Sequence, residues 1–337
     1  MEPYRPRVHT ITIPLPFKLK AVNLYILEDH TGHILIDAGV NTPDALDALE
    51  GELDALGIPW KSIHTLFITH YHSDHCGLAA RIRGKSGAAI YMAKQDFDLL
   101  DAFQQRPEMI TGPEEFYVEH GMPRKIVRRL EAATASLMDL IIPFRPDCFY
   151  RHGEEIVREP YSFLPIHTPG HTVGHTCIFE QRSGLLFSGD HVLETITSNI
   201  ASHPANPLPD PLRSYLASLE ELLSLKVSNT LPAHGKAIDD LPRRIQAILA
   251  HHEERKQRVL DALANGPAST YAVSSVIFGT GLDLMDEWLA FFETLAHLVN
   301  LEHAGCVARA SEESRPCFFL PPGRTAHRWF PTETRGT

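Results

Sequence analysis

The chain has 337 residues, of which 43% are hydrophobic and 22% are charged. These values are typical of an ordinary globular protein with one large domain, or a large and a small one, and they give no sign of collagen, repeats or disorder. The formal net charge of −11 opposes unspecific attraction to nucleic acid and to anionic membranes.

The N-terminal sequence MEPYRPRVHT has no apolar signal core, and no stretch approaches the roughly 20 apolar residues that a membrane-spanning helix needs. We therefore expect a cytoplasmic protein without a membrane partner. Five cysteines without a C-x-x-C pair predict neither a disulfide framework nor a cysteine zinc site. They are interpreted as small core residues, although Cys76 follows a histidine cluster and could serve as a soft ligand or a redox-sensitive neighbour.

The first third of the chain predicts strands and one helix. The segments RVHTITIPL, AVNLYILED and GHILIDAG, within residues 8 to 37, predict a meander of three strands. Thr42 before Pro43 predicts the start of a helix, and leucines at helical spacing continue it to Gly57. The apolar run from Ile63 then predicts a strand that ends in the motif THYHSDH, residues 69 to 75.

A further strand, AAIYMAK, leads into a helical insertion at about residues 94 to 146. Apolar residues between 126 and 140 follow one another at steps of three or four, which favours an amphipathic helix packed on the core. The alternative is an insertion that overhangs the functional site and shapes a pocket, because long connections in compact domains are often functional.

The second half predicts strands in YSFLPIHT, HTCIFEQ, GLLFSGD and NTLPAHG, with a helix from Pro211 to Leu225. We divide the chain into residues 1 to 245 and a smaller unit at 246 to 337, where three helices and a hairpin suggest a winged-helix-like domain. Such units often bind DNA. From residue 261 onward, however, five Arg and no Lys stand against nine Asp and Glu, which disfavours nucleic acid and favours packing or self-association.

The motif after the strand from Ile63 supplies four potential metal ligands. His70 and His72 stand at i and i+2, so their side chains point the same way at a strand end and can share one metal. Asp74 and His75 follow in the turn and can reach a second metal. Imidazole and carboxylate ligands suit zinc, iron or manganese. Because the chain has 20 histidines, this motif alone could be a coincidence.

Three further segments place ligand candidates where a strand meets a loop. His171 lies in TPGHTVGH, Asp190 ends LLFSGD, and His234 ends LPAHG. In layered α/β proteins, loops at the ends of strands build the functional site.

The order H-x-H-x-D-H, then H, D and H, resembles the metallo-β-lactamase superfamily over roughly residues 8 to 240. The resemblance implies an α/β fold, an αββα sandwich, followed here by the winged-helix-like unit. It implies two divalent metal ions, with zinc expected first and iron or manganese as alternatives. One ion would be held by His70, His72 and His171, and the other by Asp74, His75 and His234, with Asp190 bridging them.

The same resemblance implies roles for three neighbours of these ligands. Asp37, in LIDAG, would lie behind the site and support a ligand. His175 is interpreted as structural, and Asn199 as a residue that could reach the pocket.

The resemblance implies a metal-dependent hydrolase that acts on a small-molecule ester, thioester, lactone or phosphodiester. Two ions bridged by a water lower its pKa to about 7 and polarise the attacked oxygen, and Asp74 would act in catalysis by orienting the hydroxide. The metal motifs are similar to those of hydroxyacylglutathione hydrolase, but the C-terminal unit does not resemble its glutathione-binding domain.

Three alternatives stay open. One is a persulfide dioxygenase with a single iron held by His70, His171 and Asp190. Another is an endoribonuclease-type protein, and the third is a non-enzymatic nucleic-acid-binding protein that uses the C-terminal unit.

Overall fold

The computed structural model describes residues 6–312 and 315–322. Two sheets pack face to face, and helices cover their outer surfaces. This is an αββα sandwich, so the expected α/β fold class is confirmed.

Six strands form the first sheet, and their order in space is their order in the chain: β1 (Val8–Pro14), β2 (Ala21–Glu28), β3 (His33–Ile36), β4 (Ile63–Phe67), β5 (Ala89–Met92) and β6 (Cys148–Phe149). The first three are antiparallel, as the predicted meander requires, and the last three continue parallel from β3. Helix α1 (Pro43–Leu56) connects β3 to β4, and α2 (Ser73–Cys76) and α3 (Ala79–Ser86) connect β4 to β5. A longer helical insertion connects β5 to β6.

Helix α1 begins and ends where its sequence predicts. The hydroxyl of Thr42 accepts a hydrogen bond from the Ala45 amide at 3.3 Å. Pro43 has no amide hydrogen, and none is needed in the first turn because the amides there have no acceptor within the helix. Gly57 ends the helix with a φ of 69°, a left-handed conformation that glycine adopts without steric cost.

The insertion after β5 contains α4 (Lys94–Gln105), α5 (Glu108–Thr111), α6 (Glu114–Glu119), α7 (Arg124–Thr134) and a 3-10 turn at Leu137–Leu140. Helix α7 is amphipathic, as the spacing predicts, and its buried residues are Val127, Leu130 and Thr134. Val127 and Leu130 pack against Tyr117 and against the helix Leu284–His303 of the C-terminal part.

The second sheet contains β7 (Ile156–Arg158), β8 (Tyr161–His167), β9 (Thr176–Glu180), β10 (Leu185–Gly189) and β11 (Asn229–Pro232). Strands β7 to β10 are antiparallel, and β11 pairs parallel with β10 after a crossover through α8 (Pro211–Leu222). Aromatic and aliphatic side chains of both sheets, among them Phe67, Phe163 and Phe187, form the central core.

The C-terminal part contains α9 (Leu241–Leu263), α10 (Thr270–Phe278), α11 (Leu284–His303) and a hairpin of β12 (Ala308–Glu312) and β13 (Arg315–Phe319). The three helices and the hairpin are present, but a winged-helix architecture is not confirmed and stays a prediction. The proposed boundary at 245/246 falls inside α9, whose first half packs on the second sheet and whose last turns pack on α10 and α11. Among the described helices, none is long and apolar enough to cross a membrane.

Two buried histidines join α9 to α11. Nδ1 of His252 lies 3.2 Å from Nε2 of His297, and Nδ1 of His297 donates a hydrogen bond to the Glu293 carbonyl at 2.7 Å. Burial lowers the pKa of His252 to about 2 and that of His297 to about 3, from an ordinary value of 6.5. At a pH below 6.5 and above these lowered pKa values, the two histidines are protonated in the unfolded chain but not in the folded chain. The free energy of unfolding therefore decreases as the pH falls through this range.

We expect His297→Gln to weaken this pH dependence. Each depressed histidine adds about 1.4 kcal/mol per pH unit to the slope of the unfolding free energy between pH about 6 and about 4. Urea denaturation at several pH values measures the slope. The control is His9→Gln, at an exposed position of β1, which should keep the wild-type slope. Equal slopes for both variants would contradict the assignment.

Candidate metal centre

All seven ligand candidates lie together at one edge of the sandwich. They follow β4, β8, β10 and β11, so strands of both sheets bring them to the same place. Their donor atoms form sets that could each hold a metal ion, and within each set the atoms lie within 4.8 Å of one another. The first group is His70, His72 and His171, the second group is Asp74, His75 and His234, and a third set, His70, His75 and Asp190, joins these two.

The first group contains only imidazoles. Nδ1 of His72 lies 3.0 Å from Nε2 of His70 and 3.0 Å from Nε2 of His171. His70 lies shortly after β4, and His171 comes from the turn between β8 and β9. Three nitrogens that converge in this way are a common ligand set for zinc.

The second group combines a carboxylate with two imidazoles. Oδ2 of Asp74 lies 3.4 Å from Nε2 of His234 and 3.7 Å from Nε2 of His75. Asp74 and His75 belong to α2, whereas His234 follows β11 in the other sheet. The two sheets therefore contribute to one cluster.

Asp190 stands between the two groups. Its Oδ1 lies 3.4 Å from Nε2 of both His75 and His234, and its Oδ2 lies 3.5 Å from Nε2 of His171. The preceding Gly189 has a φ of 50°, and a Cβ there would lie 2.7 Å from Nε2 of His175. Glycine therefore lets the end of β10 turn closely enough to bring Asp190 into the centre.

Hydrogen bonds behind the cluster orient three of the imidazoles. Nδ1 of His75 pairs with Asp37 Oδ2 at 2.8 Å, Nδ1 of His171 with the Asn199 carbonyl at 2.9 Å, and Nδ1 of His234 with the Ala21 carbonyl at 2.7 Å. Because each Nδ1 donates to an oxygen, each Nε2 keeps its lone pair toward the centre.

Asp37 holds its place through a strained backbone. It has a φ of 62°, a conformation that residues other than glycine adopt rarely. Its carboxylate also accepts from the amide and the hydroxyl of Thr69, at 2.8 and 2.9 Å. The expectation that Asp37 lies behind the site against a ligand candidate agrees with this geometry.

The donor set fits a divalent cation. Nε2 of His75, Nε2 of His234 and Oδ1 of Asp190 are buried and have no hydrogen-bond partner in the protein. Buried polar groups without partners are costly, and native proteins rarely keep several together without a compensating ligand. A bound cation would compensate all three atoms at once.

The pKa values agree with this interpretation. Burial lowers the pKa of His72 to about 3 and that of His70 well below 6.5, so both imidazoles stay neutral, as metal ligation requires. Burial also acts to lower the pKa of His75, but the carboxylates of Asp190, Asp74 and Asp37 outweigh it and raise that pKa well above 6.5. The second group therefore lies in a negative field that a cation would balance.

Neighbouring residues have supporting positions. His175 lies in none of the three groups, and its Nε2 accepts a hydrogen bond from the Asp190 amide at 3.2 Å. Cys76 is buried, lies outside the groups, and donates from its thiol to the Tyr71 carbonyl at 3.0 Å. Burial raises the pKa of this thiol well above 9.0, which keeps it protonated. Cys76 thus packs in the core beside the cluster, outside the three groups.

The sequence did not reveal Asp96, a fully buried acid at the start of α4. Its carboxylate accepts hydrogen bonds from the Tyr71 amide at 3.1 Å, the Thr172 hydroxyl at 2.7 Å and the Gly174 amide at 2.5 Å. It therefore ties the loop of His70 and His72 to the loop of His171. Burial raises the pKa of Asp96 to about 7.

We expect Asp96→Asn to loosen both loops. Replacing one carboxylate oxygen by an NH2 group leaves at least one buried donor without its acceptor, which costs about 1–3 kcal/mol. Denaturant unfolding measures this loss, and chelator competition should detect weaker metal retention. Asp98→Asn, two residues along α4 and 57% exposed, is the control. Equal stability and equal metal retention of the two variants would argue against the proposed role of Asp96 in connecting the two loops.

A cavity of about 380 Å³ lies beside the cluster, with His72, Asp74, His171 and Asp190 in its wall. Asn199 also lines it, as expected from the sequence. Residues of the insertion and of α11 form much of the remaining wall. The insertion therefore both packs on the core and shapes a pocket, so its two interpretations are compatible.

An αββα sandwich with a histidine and aspartate cluster at its edge defines a metallo-hydrolase fold that binds divalent metal. The chain belongs to the metallo-beta-lactamase superfamily, which it matches over residues 18–234. Residues 257–321 match the metallo-beta-lactamase-like C-terminal domain.

The chain is similar to the "Probable metallo-hydrolase YqjP" of Bacillus subtilis, with 28% identity over 88% of this chain and 92% of that protein. It is 26% identical to the "Atrochrysone carboxyl ACP thioesterase dmxR1" of Cryptosporiopsis, over 74% of this chain and 60% of that one. The crystal structure of a metallo-beta-lactamase family protein from Thermus thermophilus superimposes with a TM-score of 0.80 and 29% identity, and covers 93% of this chain and 98% of that one.

Proposed function

We propose that this protein is a dinuclear metal-dependent hydrolase of a small-molecule ester, thioester, lactone or phosphodiester. The observation that carries the proposal is the position of Asp190, whose two oxygens face different ligand groups. His70, His72 and His171 would hold one ion, Asp74, His75 and His234 the other, and Asp190 would bridge them. Zinc is the proposed metal because nitrogen and carboxylate donors suit it, as they also suit iron and manganese.

When bound, two divalent ions supply Lewis acidity and lower the pKa of a coordinated water to about 7. The chain supplies the remaining elements. Burial acts to raise the pKa of Asp74, but His75 and His234 lower it below 3.8, so the carboxylate is ionised. Asp74 also lines the cavity, where it can orient the attacking water or hydroxide. Hydrolysis of an ester or thioester gives the acid and the alcohol or thiol, hydrolysis of a lactone gives the hydroxy acid, and hydrolysis of a phosphodiester gives a phosphomonoester and an alcohol.

The names of two relatives support hydrolysis. The Bacillus subtilis relative is named a probable metallo-hydrolase and the Cryptosporiopsis relative a thioesterase. Among the four bond types, the second name favours carbonyl substrates over phosphodiesters.

The single-iron alternative is less consistent with the buried donors. An iron at His70, His171 and Asp190 would leave Nε2 of His75 and Nε2 of His234 without a hydrogen bond, and each would face only carboxylate oxygens at 3.4 Å or more. A second ion would use both nitrogens as ligands together with Asp74.

The test is elemental analysis of the protein purified without added metal, together with the analysis of single-ligand variants. We expect about two zinc, manganese or iron ions per chain. His72→Gln and His234→Gln should each lower the content toward about one, and Asp190→Ala should lower both metal content and turnover.

His152→Gln is the control, because its side chain is half exposed and lies away from the cluster. It should keep wild-type metal content. About one iron per chain with little zinc would sink the proposal, and so would an Asp190→Ala variant with normal metal content and full activity.

A further inference from the structure

We propose that the cavity beside the metal centre is a subsite for an uncharged, apolar group of a carboxylic ester or thioester. The inference rests on the proposed hydrolase function and narrows its substrate class. It starts from the wall of the cavity and not from the metal ligands.

The wall is apolar away from the metal centre. Leu99 and Phe103 of α4, Met138 of the 3-10 turn, and Met285, Trp288 and Phe292 of α11 contribute to it. These residues come from three segments that are far apart in the sequence. A cavity of about 380 Å³ falls in the range of small-molecule binding sites, which are mostly apolar with a few converging polar groups.

The polar atoms of two wall residues, Trp288 and His203, already have partners in the protein. Nε1 of Trp288 donates to the Tyr117 hydroxyl at 2.9 Å, and that hydroxyl donates to the Thr111 carbonyl. His203 Nε2 donates to the same carbonyl at 3.3 Å, and its Nδ1 accepts from the Ala205 amide at 3.0 Å. These side chains therefore turn their apolar surfaces, and not free donors, to the cavity.

The charges in the wall disfavour anionic substrates. Among the described residues that line the cavity there is no Lys and no Arg, whereas Asp74 and Asp190 are carboxylates. Burial also lowers the pKa of His203 to about 4, so this residue is neutral. Recognition of a phosphate or carboxylate generally uses Arg or Lys. A phosphodiester would have no cationic partner here apart from the metal ions.

Helix α11 presents one face to the cavity. Met285, Trp288, Leu289 and Phe292 all line it and follow the spacing of a helix face. The start of α11 is fixed by Lys18, which forms ion pairs with Asp283 and Asp286, while the neighbouring Phe17 also lines the cavity. The C-terminal part of the chain thus supplies a wall of the proposed subsite.

The first experiment measures binding without hydrolysis. Alkyl methyl ketones keep a carbonyl and an apolar chain but cannot be hydrolysed, and calorimetry with the protein as purified gives their dissociation constants. We expect affinity to rise about threefold to fourfold for each added methylene until the cavity is full. Affinity that does not change with chain length would overturn the proposal.

The second experiment places a charge at the subsite. Leu289→Glu is suitable because the residue is 39% exposed and the change should allow folding. It should weaken binding of the longest ketone about tenfold or more relative to acetone, since the chain would then contact a charged group. Val276→Glu, on α10 and 67% exposed, lies outside the cavity and is the matched control. Equal ketone affinities in the two variants would overturn the proposal.

A third variant tests the same site by volume. Ala201 lines the cavity, and Ala201→Leu should reduce the cavity volume. The ketone with the highest affinity should then have a shorter alkyl chain than in the wild-type protein. An unchanged preference in a folded variant would count against the subsite.

Hydrolysis assays separate this proposal from the proposed function. Para-nitrophenyl esters with acyl chains of increasing length, and acetyl thioesters with thiols of increasing length, show which side of the bond enters the cavity. A dependence of kcat/KM on length in either series supports the subsite, and independence in both overturns it. If the ketones bind with the expected dependence but no substrate is hydrolysed, the hydrolase proposal fails while the subsite stands.

Discussion

The structure depends on one constraint, which is that ionisable side chains removed from water must find charge or hydrogen-bond partners. At the edge of the sandwich, Asp190 and Asp37 are buried among imidazoles, and Asp74 lies beside them in the wall of the cavity. Each imidazole that donates outward through Nδ1 keeps its Nε2 directed inward, so the outer hydrogen bonds determine what the centre can bind. This arrangement requires a strained backbone conformation at Asp37 and a close contact between Gly189 and the His175 side chain.

The sandwich brings these groups together because its two sheets end at the same edge. His70 to His75 follow β4 of the first sheet, whereas Asp190 and His234 follow β10 and β11 of the second. Neither sheet alone carries a complete set of donors. The aromatic core between the sheets, with Phe67 against Phe163 at 5.2 Å between ring centroids, therefore also fixes the distance between the two halves of the centre.

Much of this could be predicted from sequence, for local reasons. The Thr42 cap and Gly57 are signals contained in a few residues, and the alternating strands are almost as clear. The seven ligand candidates were found because each follows a strand in a recognisable order. Strands β6 and β7 were missed because two and three residues carry no periodicity. Asp96 was missed because an acid in the first turn of a helix normally faces water, and only the fold buries it against two loops.

Helix α11 shows which side of a helix cannot be assigned from its sequence. Its sequence is apolar on more than one side, and no pattern in it separates the core-facing Phe291 and Leu298 from the residues that line the cavity. The donor atoms at the cluster come from residues 70 to 234, whereas this wall comes from residues beyond 284. Helix α11 thus supplies wall residues but no donor atom, while α4 and the 3-10 turn supply the rest of the apolar wall from within the range of the ligand candidates. Under the proposed function, substitutions in α11 would change the wall of the cavity during evolution without replacing any ligand candidate.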